Sequence, residues 1–381
     1  MNKKIQLSIA ALALFNGLFL SADTDLESTL KNVKFSGVAA ARYNDYKDGN
    51  TEDYYKIAIN AKSAITNDIS FNTRVIAANT GLTSSKPTNT GESDDNLDAI
   101  ISELNFSYSG VDNLQVTMGK QGIVSPWTVD RAALGKEQVG TGITASYDLG
   151  STNLVASYFN KTNFDNESHN PTLLNDDGSN FALVGAKTKL ANTSFEAYYS
   201  TMQDSFNSYT LAASTSFDLG EVNLKPFTRY TALKVDKLSK FYTDSKNDDQ
   251  ELWQVGLTAR LGIFKAFAAY GESGNEGGAV YVDITSKVGM DYHWRVTANK
   301  DANSKYTYLH TTADITPKVT VGVFYSKAQK EAANSDVSEV YGQAVYKISK
   351  NLLAYARYGT LDNESIQNDG EMGRLHIQYS F

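Results

Sequence analysis

After Ala22 no apolar run in this chain approaches the ~20 residues that a membrane-spanning helix needs. From end to end, however, short segments alternate apolar and polar residues. Asp53 to Ile65 is the clearest. Tyr55, Ile57, Ile59, Ala61 and Ile65 share one face, and Lys56, Asn60 and Lys62 share the other. A period of two marks a strand with one apolar and one polar side. Val33 to Tyr46 reads the same way, with Phe35, Gly37, Ala39, Ala41 and Tyr43 set against Lys34, Ser36, Arg42 and Asn44. Ile69 to Asn79 follows. Later segments lie at 97–109, 114–121, 143–149, 153–160, 180–190, 193–202, 206–217, 221–234, 251–261, 264–272, 304–315, 319–327, 337–348, 352–360 and 371–381. Five prolines in 381 residues suit a chain that is mostly paired strand, because proline removes a ladder donor.

The connections alternate in length. Short turns centre on Asn67, 110–113, 149–152, 191–192, 218–220, Gly262, Pro317 and 349–351. Longer polar loops lie near 80–96, 122–142, 160–178, 235–249, 327–336 and 361–370. Short turns at one end and long loops at the other define a transmembrane barrel. A soluble β-sandwich has no reason to sort its loops, although composition alone does not exclude one. The fold class expected is all-β: a transmembrane antiparallel barrel of about 18 strands, an even number that leaves both termini on the short-turn side. Such strands put half their residues toward water, which reconciles a membrane protein with a mean hydropathy of −0.36. Residues 273–303 read as one long loop. The alternative is a hairpin of Ala279–Ile284 and Tyr292–Ala298, giving about 20 strands.

Two domains of sequence are distinguished: residues 1–22 as a secretory signal and 23–381 as the barrel. Lys3 and Lys4 precede the apolar stretch Ile5 to Leu20, and Leu20-Ser21-Ala22 offers a cleavage site before Asp23. An anchoring helix is the alternative, but the run is short for a span. Cleavage removes both lysines and takes the net charge from −8 to −10. That balance argues against a nucleic-acid partner. Without cysteine there is no disulfide, thiolate or cysteine–metal chemistry. His169, His293, His310 and His376 have no local nucleophile motif, so the chain reads as a non-enzyme.

Two further features fit a bilayer. The expected outward faces carry Tyr43, Tyr55, Tyr108, Tyr147, Tyr158, Tyr199, Tyr230, Tyr270, Tyr325, Tyr346 and Tyr379 near strand ends. Tyrosine there buries its ring and keeps its hydroxyl wet, although tyrosine also favours strands generally. The chain ends GRLHIQYSF, with Leu375, Ile377, Tyr379 and Phe381 alternating to the last residue. An exposed apolar edge invites aggregation, whereas in a barrel it pairs with the first strand.

The stretch Gly119 to Gly142 is expected to fold inward as the third loop and narrow the lumen. It is too apolar for a surface loop, with Ile123, Val124, Trp127, Val129 and Leu134, yet it carries Asp130, Arg131, Lys136 and Glu137. Counting registers from the loop near 365–366 sets Arg357 opposite Arg374. The same counting sets Arg42 beside residue 57, next to Lys56, and Arg74 opposite Asn60. Closure then makes Arg42, Lys56, Arg74, Arg357 and Arg374 one basic stripe on the inner wall. Lys225, Arg229, Arg260 and Lys265 form a second basic region. The stripe is expected to face Asp130 and Glu137 across the constriction, partly offset by Arg131 and Lys136. Charge at a narrow aqueous point sorts ions by sign, although any polar lumen collects charges. Acids in the long loops, such as Glu92, Asp94, Asp95, Asp98, Asp165, Glu167, Asp176, Asp177, Asp244, Asp248, Asp249 and Glu251, would gather cations at the mouth, or serve only as solvated charges or as weak calcium sites without the spacing of a known binding loop.

Ser36-Gly37-Val38 and Arg42-Tyr43, Gly119-Lys120-Gln121, Trp127-Thr128, Gly140-Thr141-Gly142, LVASYF at 154–159 and the final strand together resemble the Campylobacter-type major outer membrane porin family. The resemblance implies an 18-strand, homotrimeric general-diffusion porin with a cation preference. Relatives of this type hold calcium near the constriction. Here Val129 stands where an acid is expected, leaving Asp130 as the calcium candidate, and no other cofactor is implied. The expected function is passive diffusion of ions and small hydrophilic solutes across the bacterial outer membrane, weakly cation-selective, with lipid as the surrounding partner. A substrate-selective channel, or a barrel acting as surface adhesin or receptor, is the alternative.

Overall fold

The computed structural model describes residues 33–47, 51–79, 98–164, 180–239, 248–298, 301–331, 335–363 and 369–381. The expected signal segment, Glu92, Asp94, Asp95, Asp165, Glu167, His169, Asp176, Asp177 and Asp244 lie outside them. The strands run β1 (Val33–Tyr46), β2 (Thr51–Ala64), β3 (Ile69–Ala78), β4 (Asp98–Val111), β5 (Leu114–Gly122), β6 (Val139–Asp148), β7 (Thr152–Thr162), β8 (Phe181–Leu190), β9 (Thr193–Met202), β10 (Phe206–Thr215), β11 (Phe217–Leu219), β12 (Val222–Val235), β13 (Asp249–Leu261), β14 (Phe264–Ser273), β15 (Ser304–Thr316), β16 (Val319–Lys330), β17 (Ser335–Lys347), β18 (Leu352–Asn363) and β19 (Gly370–Ser380). β10 and β11 both lie on β12 in one register, Ser214 opposite Phe227 and Phe217 opposite Leu224. They are two pieces of one strand broken at Ser216, so the barrel has 18 strands.

Every strand pairs antiparallel with its neighbour in sequence. The circle closes where β19 meets β1, with Val38 opposite Ser380 and Tyr43 opposite Leu375. Phe381 adds two main-chain bonds to Gly37, of 2.8 and 3.1 Å. The apolar C-terminal strand thus has a partner on both sides, which removes the free edge.

Turns fix the register. Gly220 and Gly262 take φ of 63° and 56° in two-residue connections, whose twist demands the left-handed region. Arg357 stands opposite Arg374, and Arg74 opposite Asn60, as the alternation implies. One register differs. Arg42 lies opposite Tyr54, and Lys56 opposite Ala40, because the first connection is shorter than symmetric counting assumed. Residues 274–303 hold no strand among the described residues, so the long-loop reading stands.

The outer surface is apolar: Phe35, Ile57, Leu257, Leu309, Val323 and Ile377 are exposed there. Tyr43, Tyr55, Tyr147, Tyr158 and Tyr346 are exposed on the same face. Tyr230 and Tyr270 are partly covered, packing on Tyr209 and Trp253. The packed core lies inside the barrel instead. It joins Ile123, Trp127, Val280, Val282, Val288, Met290, Trp294 and Val296 from two connections to wall residues such as Phe159, Phe181, Phe206, Tyr306, Tyr308 and Phe324.

Candidate functional site: the lumen and its two infolded loops

We call the connection between β5 and β6, residues 123–138, L3, and that between β14 and β15, described over 274–298, L7. L3 is drawn inward by Ile123 and Trp127, both fully buried. Its base is closed by Ile123 N–H donating to the Gln138 carbonyl and Gln138 N–H to the Val129 carbonyl, each 2.9 Å. Its tip is held by Glu137. Lys56 Nζ lies 2.7 Å and Arg74 Nη2 2.6 Å from Glu137 Oε1. Arg74 Nε donates to Oε2 at 2.9 Å. Lys56 also donates to the Gly135 carbonyl and Arg74 to Asn60 Oδ1. Desolvation works to raise the Glu137 pKa, but the hydrogen bonds and charges of Arg74 and Lys56 prevail and hold it below the usual carboxylate range. Glu137 therefore touches the basic stripe instead of facing it across an opening. It neutralises part of the stripe and anchors the loop.

The other expected L3 residues separate. Arg131 pairs with Glu103 of β4, an acid that sequence reading did not single out. Burial acts to lower the Arg131 pKa, but Glu103 outweighs it and raises the value. Asp130 and Lys136 are half-buried, and the Asp130 carbonyl accepts a 2.8 Å bond from Arg131. Beneath the tip, Arg131, Ala132 and Ala133 face Ser36, Asn60, Arg74, Gln378 and Ser380 around a cavity of about 310 Å³.

L7 is a second infolded loop, and its inward course is not implied by its length or alternation. It lies on L3 through main-chain bonds: Val282 and Asp283 N–H donate to the Trp127 carbonyl at 3.1 and 2.9 Å, and Val288 N–H to that of Pro126 at 3.2 Å. Gln138 Nε2 donates to Asp283 Oδ2 at 2.9 Å. Its far limb is gripped by buried Glu339 of β17. Trp294, Arg295 and Val296 N–H groups all donate to that carboxylate, at 3.1, 2.8 and 3.5 Å, and Ser326 Oγ donates at 2.6 Å. His293 Nδ1 lies 3.1 Å from Ser326 Oγ and Nε2 3.1 Å from His310 Nδ1. The order carboxylate–serine–histidine is not that of a nucleophilic triad, where histidine sits between acid and hydroxyl. Desolvation, with His310 and Arg357 nearby, pushes the His293 pKa down to about 3. The signal for this loop was present in AVYVDI and HWRVTA, as apolar as L3.

Trp294 is delivered to the seam of the barrel. The Arg374 guanidinium lies 4.8 Å from its ring centroid, and Arg357 lies 5.1 Å from Tyr355 and 5.3 Å from Tyr341. Arg42 donates to the Tyr355 hydroxyl at 3.3 Å. Arg374 and Arg357 are aimed by Asn44 (2.7 Å) and Gln343 (2.5 Å). Arg42, Arg357 and Arg374 make no ion pair among the described residues. The half of the stripe near L3 is thus partly neutralised by a bonded carboxylate, and the half at the seam has none among the described residues.

Asp291 of L7 lies within electrostatic reach of Arg357 and Arg374. Burial, then Asp283 and Glu339, push its pKa up to about 6 against the pull of those arginines. Below that value it is neutral and the seam is one charge more positive. Anion preference is expected to increase between pH 7 and 5, read as a shift in reversal potential in a salt gradient. Asp291→Asn should already show the low-pH value at pH 7. The stability sign follows: the folded state holds a proton that the unfolded chain gives up near ~3.9. The stabilisation is complete below that value and lost as pH rises through 6.

A closed barrel with an apolar outer surface, whose charged lumen is narrowed by two infolded loops, is an outer-membrane channel, a non-catalytic role. The chain belongs to the Gram-negative porin family, whose model matches residues 8–365. Solved structures of similar fold include Pseudomonas aeruginosa OpdK with vanillate (14% identity, 92% of this chain and 99% of that one, TM-score 0.75). A BenF-like porin from Pseudomonas fluorescens Pf-5 matches over 93% and 99% at 14% identity and TM-score 0.75. Acinetobacter baumannii OccAB3 matches over 92% and 99% at 14% identity and TM-score 0.72. A comparison with curated proteins finds no match.

Proposed function

We propose that this porin is a substrate-selective channel for small anionic solutes, above all carboxylates attached to a ring. The observation that carries this reading is the uncompensated seam. Among the described residues, Arg42, Arg357 and Arg374 stand together without a carboxylate bonded to any of them, beside Trp294, Tyr341 and Tyr355. Arg42 Nε, Trp294 Nε1 and the Tyr341 hydroxyl are buried with no hydrogen-bond partner among the described residues. Guanidinium groups recognise carboxylates through paired donors, and the rings offer faces for stacking. Vanillate, bound by the similarly folded OpdK, carries both features.

General diffusion with a weak cation preference is the second reading, favoured by the net charge of −8. Reversal potentials in a potassium chloride gradient separate the two. The triple variant Arg42→Gln, Arg357→Gln, Arg374→Gln is expected to move selectivity toward cations and to abolish saturable block by benzoate. An unchanged reversal potential would sink the anionic reading.

The narrower kinship with Campylobacter-type porins, and the homotrimer it implies, belong to this proposal and rest on the β1 and L3 motifs. So does export by residues 1–22. Cross-linking in detergent and the intact mass of the mature chain test them. We do not extend the proposal to calcium at L3. Glu137 is committed to Lys56 and Arg74, and Asp130 adjoins Arg131, whereas calcium takes six to eight oxygen ligands.

A further inference from the structure

We propose that Lys187, Arg229 and Lys287 form, around Glu196, a second anion subsite that takes a phosphate group. It lies on the wall away from the seam, on β8, β9 and β12, about halfway around the strand circle from β18, β19 and β1. The sequence pattern builds it. Lys187 stands directly opposite Glu196, and Ala212 of β10 stands opposite both Glu196 and Arg229. Because Ala212 is small, Arg229 reaches across it to Glu196 Oε2 at 3.0 Å. Lys187 lies 2.8 Å from Oε1, and Lys287 arrives from L7 at 3.8 Å from the same oxygen.

Three cations thus share one carboxylate, whose two oxygens are both engaged. The cluster carries an excess of two positive charges. The Lys187 and Lys287 side chains are 45% and 58% exposed, while Glu196 is 14% exposed. The donors are open and the acceptor is covered. An ammonium has three donors, so both lysines have donors left for a solute. Burial, with the neighbouring Lys187 and Arg229 charges, depresses the Lys287 pKa despite Glu196, whereas the hydrogen bond to Glu196 raises that of Lys187. Phosphate brings one to two negative charges and several strong acceptor oxygens, and lysine binds it as a point charge. Since Lys287 belongs to L7, an occupied subsite also ties that loop to the wall.

The test is single-channel current through the full-length folded protein at constant ionic strength, with inorganic phosphate replacing part of the chloride. Saturable block is expected. The double variant Lys187→Gln, Lys287→Gln should weaken the apparent affinity at least tenfold, and Lys287→Gln alone, which leaves the wall intact, should weaken it severalfold. Arg42→Gln should leave the phosphate block in place, separating this subsite from the seam. Phosphate acting only through ionic strength, or block that survives the double variant unchanged, overturns the proposal. Retention of the heat-dependent gel shift of a folded barrel confirms that each variant is compared in its native form.

Discussion

Glu137→Ala is expected to release L3 from the barrel wall, raising single-channel conductance and lowering the unfolding temperature. The Lys56 and Arg74 side chains are 0% and 3% exposed. Removing their shared carboxylate strands two cations where water does not reach them well. Breaking a buried ion pair from one side costs roughly 3–5 kcal/mol. The chain has a cheaper response than holding both charges in place: L3 moves and water enters. Conductance should therefore rise and become noisier, while the strands stay paired. Glu137→Gln should fall between, since an amide oxygen still accepts hydrogen bonds but supplies no charge. The pH dependence has a fixed sign. Glu137 is held below its ordinary value, so its contribution is full above the unfolded pKa of ~4.3 and vanishes as pH falls through the lower folded one. Wild-type conductance and unfolding temperature in the alanine variant would show that L3 is held by its apolar contacts alone.

Glu339→Ala should act as strongly on L7. Its carboxylate receives three main-chain N–H groups and the Ser326 hydroxyl, with no cation paired to it among the described residues. Hydrogen bonds to a charged group contribute ~1.5–3 kcal/mol each. They act on one short limb and are not additive, so a loss of about 3–5 kcal/mol is expected. Trp294 is carried by that limb, and its displacement uncovers Arg374. Two readouts should change together: thermal stability falls and benzoate block weakens. Glu339→Gln presents an NH2 to N–H donors on one side, so it should recover only part of either. A loss of stability without any change in block would separate the anchor from the seam.

Much of this arrangement is legible in the residues. Alternation gives the strands, and sorted loop lengths give the barrel. The apolar content of GIVSPW in L3 shows that it turns inward. All five basic residues of the stripe point into the lumen. What alternation does not carry is a distance across the lumen. Glu137 and Lys56 are 81 residues apart, and nothing local says whether they touch or face each other over water. The inward packing of L7, as distinct from its being a loop, is hidden for a related reason. Its apolar residues resemble those of a strand pair, and only the opposing surface, the Trp127 and Pro126 carbonyls and Glu339, decides that they pack instead. Arg42 shifted its partner because register depends on how the chain turns between Tyr46 and Thr51, which symmetric counting does not capture.

The sequence by itself determined the barrel, because a period of two is a property of neighbouring residues and a closed sheet is the one arrangement that satisfies such strands in lipid. The tertiary structure alone decided which charges are spent and which are available. Glu137 and Glu339 are consumed in holding loops, and Arg42, Arg357 and Arg374 are left without a bonded carboxylate among the described residues, with Asp291 acting on the latter two only at a distance. A charge acts on solutes only to the extent that no neighbour already answers it. The neighbours come from opposite sides of the lumen, where sequence order places no constraint.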